Sequence, residues 1–386
     1  MKKSRIRAVF VVPSLARAGA ETQVVNLVNG LDAGGFEKHL FVFERDLDQL
    51  DRVDCSEVTI HHHVRRHKFD VGPARQLAKL IDERAINIVH CSLQISLFIA
   101  WMAIRLAKRK PRLVLALHTT VNRTRREDYF DIFLYQWLMR SCSRVICVCQ
   151  TQEIHWQAKF RFLKGRTTVV YNGVDTNWFD PRKAGDDGQR LRERFNIGVT
   201  DFVACMVAGF RPEKGHRYLL RAFARVVGKY PQSYLVLAGD GSLRGEMELV
   251  ARAYGIQRNV IFLGSVPDVR AVLAAADISV IASTSVETFS IAMLESLAMR
   301  LPMVASDVGG TGEAVKSGVT GYLVPVGDDI ALARSILEMA GNATMRSDMG
   351  ARGRTEVCQK FTCQMMIENT RNVLLREYVS EEAGAR

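Results

Sequence analysis

Short runs of apolar residues alternate along the first half of the chain with segments in which apolar residues recur at helical spacing. Residues 6–12 form one such run, rich in β-branched residues, which predicts a strand buried in a parallel sheet. In residues 20–31, Val24, Val28 and Leu31 share one face of a predicted helix. Further strands are predicted at 39–43, 58–60, 86–90, 113–117, 144–149 and 167–170, and helices at 72–84, 93–107 and 128–141. This βαβ series predicts an α/β fold with a doubly wound sheet.

The second half of the chain repeats this pattern after a polar interval. Strands are predicted at 202–208, 233–238, 259–262, 278–281 and 302–305, and helices at 216–229, 243–254, 268–275, 289–299, 329–340 and 362–379. The interval contains Gly and Pro among polar residues, which is typical of a linker. The predicted organisation is an N-terminal domain at 1–170, a linker at 171–189, a C-terminal domain at 190–361, and a terminal helix within 362–386 that returns to the N-terminal domain.

Two Rossmann-like domains joined by one linker imply a deep cleft between them. Ligands of open parallel sheets bind outside the carboxyl ends of the strands. We therefore expect both sheets to present those ends to the cleft.

Composition adds a charge asymmetry to this picture. The 386 residues carry a formal net charge of +12, and residues 1–170 hold 28 Lys and Arg against 16 Asp and Glu, whereas residues 171–386 hold 25 of each. A basic first domain suits an anionic partner, although a solvated basic surface without a partner is the alternative.

The eight Cys form no CxxC pair, as in a cytosolic protein with reduced thiols. Apolar runs are too short for a signal peptide or a membrane span, so we expect a cytoplasmic protein.

The segment from Glu287 to Glu295 carries the sharpest chemical signal. Glu287 follows a predicted strand, residues 288–290 open an apolar helix, and Glu295 lies eight residues after the first glutamate. Carboxylates accept hydrogen bonds from paired sugar hydroxyls, and the free N–H groups at a helix start bind phosphate. The spacing alone also fits two solvated glutamates on a surface helix.

The wider context resembles the E-x7-E signature of the retaining glycosyltransferases called group 1 or family four, and the likeness continues through residues 301–315 and 320–325. The resemblance implies a GT-B fold, which is a pair of Rossmann-like domains. It also implies that Glu295 binds the nucleotide ribose and that Glu287 contacts the transferred sugar. The backbone of Phe289, Ser290 and Ile291 would lie beside the diphosphate.

A second likeness is the segment 207–216, which resembles the family's G-R-L-x-P-E-K-G. In that motif an Arg and a Lys clamp the diphosphate, and Lys214 matches the Lys. Gly209 stands where the family has its Arg. We hypothesise that Arg211, two residues further on, replaces the missing guanidinium.

Three more positions match the family less specifically. Gly19, in the first βα turn, resembles a Gly of the family's G-G-x-E loop and allows close approach of the backbone to a phosphate. His118 ends a predicted strand where the family carries a His near the transferred sugar, although a lone His at a strand end is more often structural than catalytic. Val266 lies in a segment that resembles the one packing near the nucleotide base.

Residues 93–107 are largely apolar and lead into a basic cluster. The cationic residues that follow are Lys108, Arg109, Lys110, Arg112, Arg123, Arg125 and Arg126. An apolar helix that ends in clustered Lys and Arg can lie on an anionic bilayer surface. The alternative is a helix packed on the first sheet with a basic exit turn.

Together these features predict a hexosyltransferase that uses a nucleotide sugar and a saccharide or lipid-linked acceptor in polysaccharide or glycolipid biosynthesis. No cofactor, metal or nucleic acid is expected. A nicotinamide oxidoreductase would show G-x-G-x-x-G in the first turn, which this chain lacks. The remaining alternatives are a non-catalytic GT-B-like scaffold or an anionic-ligand-binding protein.

Overall fold

The computed structural model describes residues 5–67, 70–119 and 131–384, which form two compact units. The first unit contains Met1–Gly173 together with Cys363–Arg386, and the second contains Val174–Thr362. The final helix therefore clusters with the first unit. Each unit is built on its own parallel sheet.

The first unit has a seven-stranded sheet in the order β3-β2-β1-β4-β5-β6-β7. Its strands are β1 Ile6–Val12, β2 Phe36–Val42, β3 Val58–His62, β4 Ile88–Ser92, β5 Arg112–Leu117, β6 Arg144–Cys147 and β7 Thr167–Val169. Its helices are Gly19–Gly30, Gly72–Glu83, Gln94–Leu106, Gln136–Met139, Gln150–Lys159 and Cys363–Gly384. Because successive side chains of a strand point to opposite faces, Val9 and Val11 enter one apolar core, while Ala8 and Phe10 enter the other.

The second unit has a six-stranded sheet in the order β10-β9-β8-β11-β12-β13. Its strands are β8 Phe202–Val207, β9 Ser233–Ala238, β10 Val260–Gly264, β11 Ile278–Ile281, β12 Met303–Ser306 and β13 Gly321–Val324. Its helices are Asp187–Arg194, His216–Lys229, Arg244–Ala253, Arg270–Ala275, Ile291–Ala298, Thr311–Ala314, Asp329–Ala340 and Ala343–Lys360. All pairings in both sheets are parallel, which confirms the predicted α/β class with two doubly wound sheets.

One helix begins in the last three residues of the stretch that the sequence analysis interpreted as a linker and continues into the predicted C-terminal domain. Residues Asp187–Arg194 are strongly polar and bury only Gly188, so they lack an apolar face for sequence reasoning to detect. A Cβ at Gly188 would lie 2.6 Å from the backbone of Ala274, so the helix approaches Arg270–Ala275 very closely. This tertiary contact stabilises a segment whose composition alone is typical of a loop.

The predicted helix at 128–141 is only partly covered by the described residues. From Asp131 to Tyr135 the backbone forms a π-helical turn, which continues into the helix Gln136–Met139. Residues 128–130, together with Arg123, Arg125 and Arg126, lie outside the part of the chain that the structure describes.

Candidate functional site

An ion pair lies just beyond the carboxyl end of β11. The Lys214 Nζ is 2.7 Å from Oε2 of Glu287, and the hydroxyl of Ser283 donates to the same oxygen at 2.8 Å. The side chains of Lys214 and Glu287 are 16% and 9% exposed. Because water is largely excluded, this charge-assisted contact is stronger than a surface ion pair.

Two features place Lys214 beside Glu287. Lys214 ends the short 3-10 turn Pro212–Lys214, and the amide of Thr284 donates to the Glu213 carbonyl at 2.8 Å, which ties that turn to the segment following β11. Gly215 then adopts a φ of +70°, and a Cβ there would overlap the carbonyl oxygen of Ala282. Only glycine permits this close approach.

The start of the helix Ile291–Ala298 is fixed by the neighbouring loop. Ser290 caps the helix by accepting from the amide of Met293 at 3.4 Å, and the amide of Gly310 donates to the Thr288 carbonyl at 2.8 Å. Gly309 has a φ of +58°, and a Cβ there would overlap the Glu287 carbonyl oxygen. The first amides of a helix have no acceptor within the helix, so this end can hold an anion.

The other residues of this segment take different positions. Phe289 is buried and meets Phe361 edge-on at 5.1 Å between ring centroids, so its side chain belongs to the core. Glu295 is half-buried on the same helix face as Ile291, four residues earlier. The structure thus gathers Lys214, Glu287 and the helix start in the second unit, with Glu295 one turn further along that helix.

Arg211 lies close to the place of the missing family arginine. A Cβ built at Gly209 would be 3.7 Å from the Nε of Arg211 and 3.2 Å from the carbonyl oxygen of Asp240. Nε of Arg211 is 3.5 Å from the carboxylate of Glu213, and the Arg211 side chain is 47% exposed. A larger side chain at position 209 would therefore crowd the Asp240 backbone, while the guanidinium of Arg211 is already near this space.

Sequence reasoning assigned no role to His216, although it lies inside the motif of Lys214. Its ring stacks on Phe210 at 4.2 Å between centroids. Burial, with a smaller contribution from the Lys214 charge, lowers the pKa of His216 to about 4. The imidazole is therefore neutral near pH 7 and adds no positive charge beside the ammonium group. Val266, by comparison, is half-buried against an apolar cluster of the second unit.

In the first unit, Gly19 is the exposed first residue of its helix at the carboxyl edge of the sheet. Two residues further on, Glu21 is buried, and burial raises the pKa of its carboxyl group despite hydrogen bonds from its own backbone and Ser14. Glu21 stands at the acidic position of the G-G-x-E loop, to which the sequence analysis assigned no role, because burial of a carboxylate is not visible in a short motif.

His118 follows β5 directly, and its Nε2 is shielded from solvent. Burial lowers the pKa of His118 to about 4, and burial together with the His118 charge lowers the pKa of His90 to about 3. Within the described part of the chain, His118 Nε2, His90 Nδ1 and Ser92 Oγ have no hydrogen-bond partner, and all three residues line one small pocket. His118 is thus a neutral imidazole near pH 7.

The described residues contain no group of three or more His, Cys, Asp or Glu side chains arranged to hold a metal ion. None of their helices combines the length and the apolar character that a bilayer crossing requires.

Two family models match the chain, and together they cover most of it. The model described as "Glycosyl transferases group 1" matches residues 187–356, and "Glycosyltransferase Family 4" matches residues 17–178. Among curated proteins, "Putative glycosyltransferase EpsD" from Bacillus subtilis is 29% identical over 299 residues, which is 75% of this chain and 78% of that protein. The N-acetyl-alpha-D-glucosaminyl L-malate synthase of Bacillus anthracis is 25% identical over 316 residues, 81% of each chain.

Solved structures give the same result for the fold. Anabaena HepE, crystallised in complex with UDP-glucose, superposes with a TM-score of 0.81 at 20% identity, covering 96% of this chain and 100% of that chain. This likeness confirms the expected GT-B fold.

Proposed function

The chain belongs to the group 1 and family 4 glycosyltransferases, and from this premise we propose that it moves a hexose from a nucleotide-diphosphate sugar to a saccharide or lipid-linked acceptor with retention of configuration. The observation that carries the proposal is the Lys214–Glu287 ion pair beside the start of the helix Ile291–Ala298. It combines a cation for phosphate, a carboxylate for sugar hydroxyls and free helix amides within one short segment.

In the proposed complex, the diphosphate is bound by the ammonium of Lys214 and by the backbone amides near Ser290 and Ile291. Glu287, released from part of its contact with Lys214, accepts hydrogen bonds from the transferred sugar. Glu295 accepts from the ribose. This division uses the nearly buried carboxylate of Glu287 and the half-buried carboxylate of Glu295, and it leaves Phe289 in the core.

Arg211 supplies the second cation of the clamp in this proposal. It lies near the place of the family arginine, and its side chain is about half exposed, so it can turn toward a phosphate. Lys214, Arg211 and the helix amides together balance the diphosphate charge, and we therefore propose that the reaction needs no metal.

The transfer itself is proposed to occur on one face of the sugar. The bond from the anomeric carbon to the diphosphate oxygen breaks, and the acceptor oxygen bonds to the same face. The acceptor proton goes to the departing phosphate oxygen. His118, neutral near pH 7 because burial lowers its pKa, orients the sugar by hydrogen bonding and takes no proton from the acceptor.

We further propose a cytoplasmic enzyme that works at the inner face of a membrane, which suits the basic first unit and a lipid-linked acceptor. Leu106 and Trp137 are 55% and 50% exposed, and the Arg105 guanidinium lies 5.0 Å from the centre of the Trp101 ring. Exposed apolar and aromatic side chains beside cations favour an anionic bilayer surface. The fraction of the protein that sediments with anionic vesicles should therefore fall as the salt concentration increases, because screening reduces the electrostatic attraction.

A donor screen tests the central proposal. The purified chain is heated with UDP-, GDP- and ADP-sugars, and the bound donor should raise the melting temperature. Lys214→Ala should abolish that shift. The matched control is Lys316→Ala in the same unit. Lys316 also forms an ion pair, with Glu356 at 2.9 Å, but it lies at the amino ends of the strands, whereas Lys214 lies at the carboxyl ends. Absence of a shift with every donor, or an equal shift in Lys214→Ala, would contradict the proposal.

A further inference from the structure

The first unit carries a basic groove at the amino ends of the strands of its sheet. His118 lies at the opposite, carboxyl ends. This amino-edge groove has a volume of about 780 Å³. The residues that line it are Lys110, Pro111, Arg112, Leu113, Arg140, Ser141, Cys142, Ser143, Arg144, Arg166, Glu377 and Ser380. Five of these side chains are cationic, against one carboxylate.

The position of the groove follows from the parallel sheet. Arg112 and Arg144 are the first residues of β5 and β6, and Arg166 directly precedes β7. Since β5 is six residues long, His118 at its other end is about 20 Å away along the strand. An anion in the groove therefore lies far from the sugar that His118 is proposed to contact, and it is not the reacting group.

The cations of the groove are held in place mainly by neutral acceptors. Arg166 donates to the carbonyl of Arg140 at 3.1 Å, and Arg112 donates to the carbonyl of Ser380 at 3.4 Å. The Nζ of Lys110 donates to the carbonyls of Ile104 and Ala107 at 2.8 and 2.6 Å. Backbone carbonyls orient these groups without cancelling their charge.

One ion pair anchors this arrangement. Nε of Arg144 is 3.0 Å from Oε1 of the buried Glu377. Nη1 of Arg144 donates to the carbonyl of Gly165, also at 3.0 Å. Glu377 is the sole acid among the described residues that line the groove. The groove thus keeps a large positive excess around a fixed guanidinium.

We propose that the amino-edge groove is a second anion site, which binds a phosphate-bearing ligand such as a diphosphate or a phosphorylated headgroup. Planar guanidinium groups match the geometry of phosphate oxygens, and several oriented cations favour a ligand with more than one negative charge. The described residues that line the groove include no aromatic side chain on which a nucleic-acid base could stack, which favours phosphate itself over a polynucleotide. The site anchors or regulates the enzyme, and it is independent of the proposed transfer reaction.

The test uses inorganic diphosphate as the probe and calorimetric titration of the full chain as the measurement. All variants carry Lys214→Ala so that the proposed donor site does not contribute. Because Arg140 and Arg166 are exposed, Arg140→Ala with Arg166→Ala should leave the fold intact, as verified by circular dichroism. Loss of two charge-assisted contacts should weaken binding about tenfold or more. The control removes the exposed Arg45 and Arg75 of the same unit and should change the affinity less than about twofold.

A vesicle arm separates the two sources of phosphate. Vesicles of phosphatidylcholine with and without phosphatidic acid are sedimented with the same variants. Binding to phosphatidic acid that depends on Arg140 and Arg166 supports a lipid headgroup, whereas diphosphate binding without such vesicle binding supports a free ligand. No binding in either arm, equal binding by the groove variant and the control, or tighter binding of an RNA oligonucleotide than of diphosphate would overturn the proposal.

Discussion

At the scale of single residues, the site depends on charges that are held where water is scarce. The carboxylate of Glu287 is nearly buried, and Lys214 and Ser283 supply its hydrogen bonds. Removing one partner of such a pair leaves the other desolvated and unbalanced, which costs more than the pair itself contributes. The same ion pair therefore links the proposed donor binding to the stability of the second unit.

Lys214→Ala should lower the free energy of unfolding by about 1–3 kcal/mol, because the carboxylate of Glu287 loses its cation. Adding Glu287→Gln should restore part of that loss, since the neutral amide is easier to bury. Urea unfolding of the two variants measures both effects. A double variant less stable than Lys214→Ala would show that the carboxylate is stabilised by something other than the lysine.

The buried histidines predict a loss of stability in acid. The pKa values of His118 and His90 in the folded chain are about 4 and about 3, below the usual value of about 6.5 that applies to the unfolded chain. Between pH 6.5 and 4 the unfolded chain binds more protons, so the free energy of unfolding falls as the pH falls through that window. Above pH 6.5 this contribution is complete.

Urea unfolding between pH 4 and 7.5 measures this dependence. His118→Asn should reduce the acid slope by up to about one proton. An unchanged slope in His118→Asn would mean that this imidazole is protonated in the folded chain.

At the scale of elements, the apolar patterns predicted β1 at its observed bounds and the helix 216–229 at His216–Lys229. They failed where a tertiary contact decides the structure, as in the polar helix Asp187–Arg194. The site followed the same division. Motifs predicted Lys214 and Glu287 as site residues. The ion pair between them requires that two loops far apart in sequence be fixed by Gly215 and Gly309. The close backbone contacts of these two glycines cannot be predicted from the pattern of apolar and polar residues.

Gly309→Ala should destabilise the second unit and impair donor binding together. Position 309 has a φ of +58°, and its Cβ would overlap the Glu287 carbonyl, so the loop before the helix must move. The control is Gly318→Ala, where φ is +75° but nothing lies within 4 Å of the added Cβ. The control should lose only about 1–2 kcal/mol from the strained backbone. Equal losses in unfolding free energy and equal donor affinity would contradict this role for Gly309.

At the scale of the whole molecule, the first unit is assembled from both ends of the chain. Met366, Val373 and Leu374 of the helix Cys363–Gly384 are buried in the same core as the residues of β1 and the helix Gly19–Gly30. The first unit is therefore incomplete without a segment that follows the entire second unit in sequence.

Leu374→Ala should lower the free energy of unfolding of the first unit by about 2–5 kcal/mol, because a fully buried leucine leaves a cavity. Val379→Ala lies on the same helix at a position that is 60% exposed, and it should change stability by less than about 0.5 kcal/mol. Thermal unfolding of both variants checks the difference. A similar small change in each would show that the helix contributes little to that core.

This arrangement also sets the order in which the chain becomes foldable during synthesis. The second unit is one continuous stretch, Val174–Thr362, and all of it is translated before the helix that completes the first unit. At about 5–20 residues per second, roughly 190 further residues keep the first unit waiting for about 10–40 s. Throughout that interval the apolar surface of the first sheet that Leu374 later covers is open to water and to chaperones. The N-terminal half of the enzyme is thus translated first, but its fold is the last to be completed.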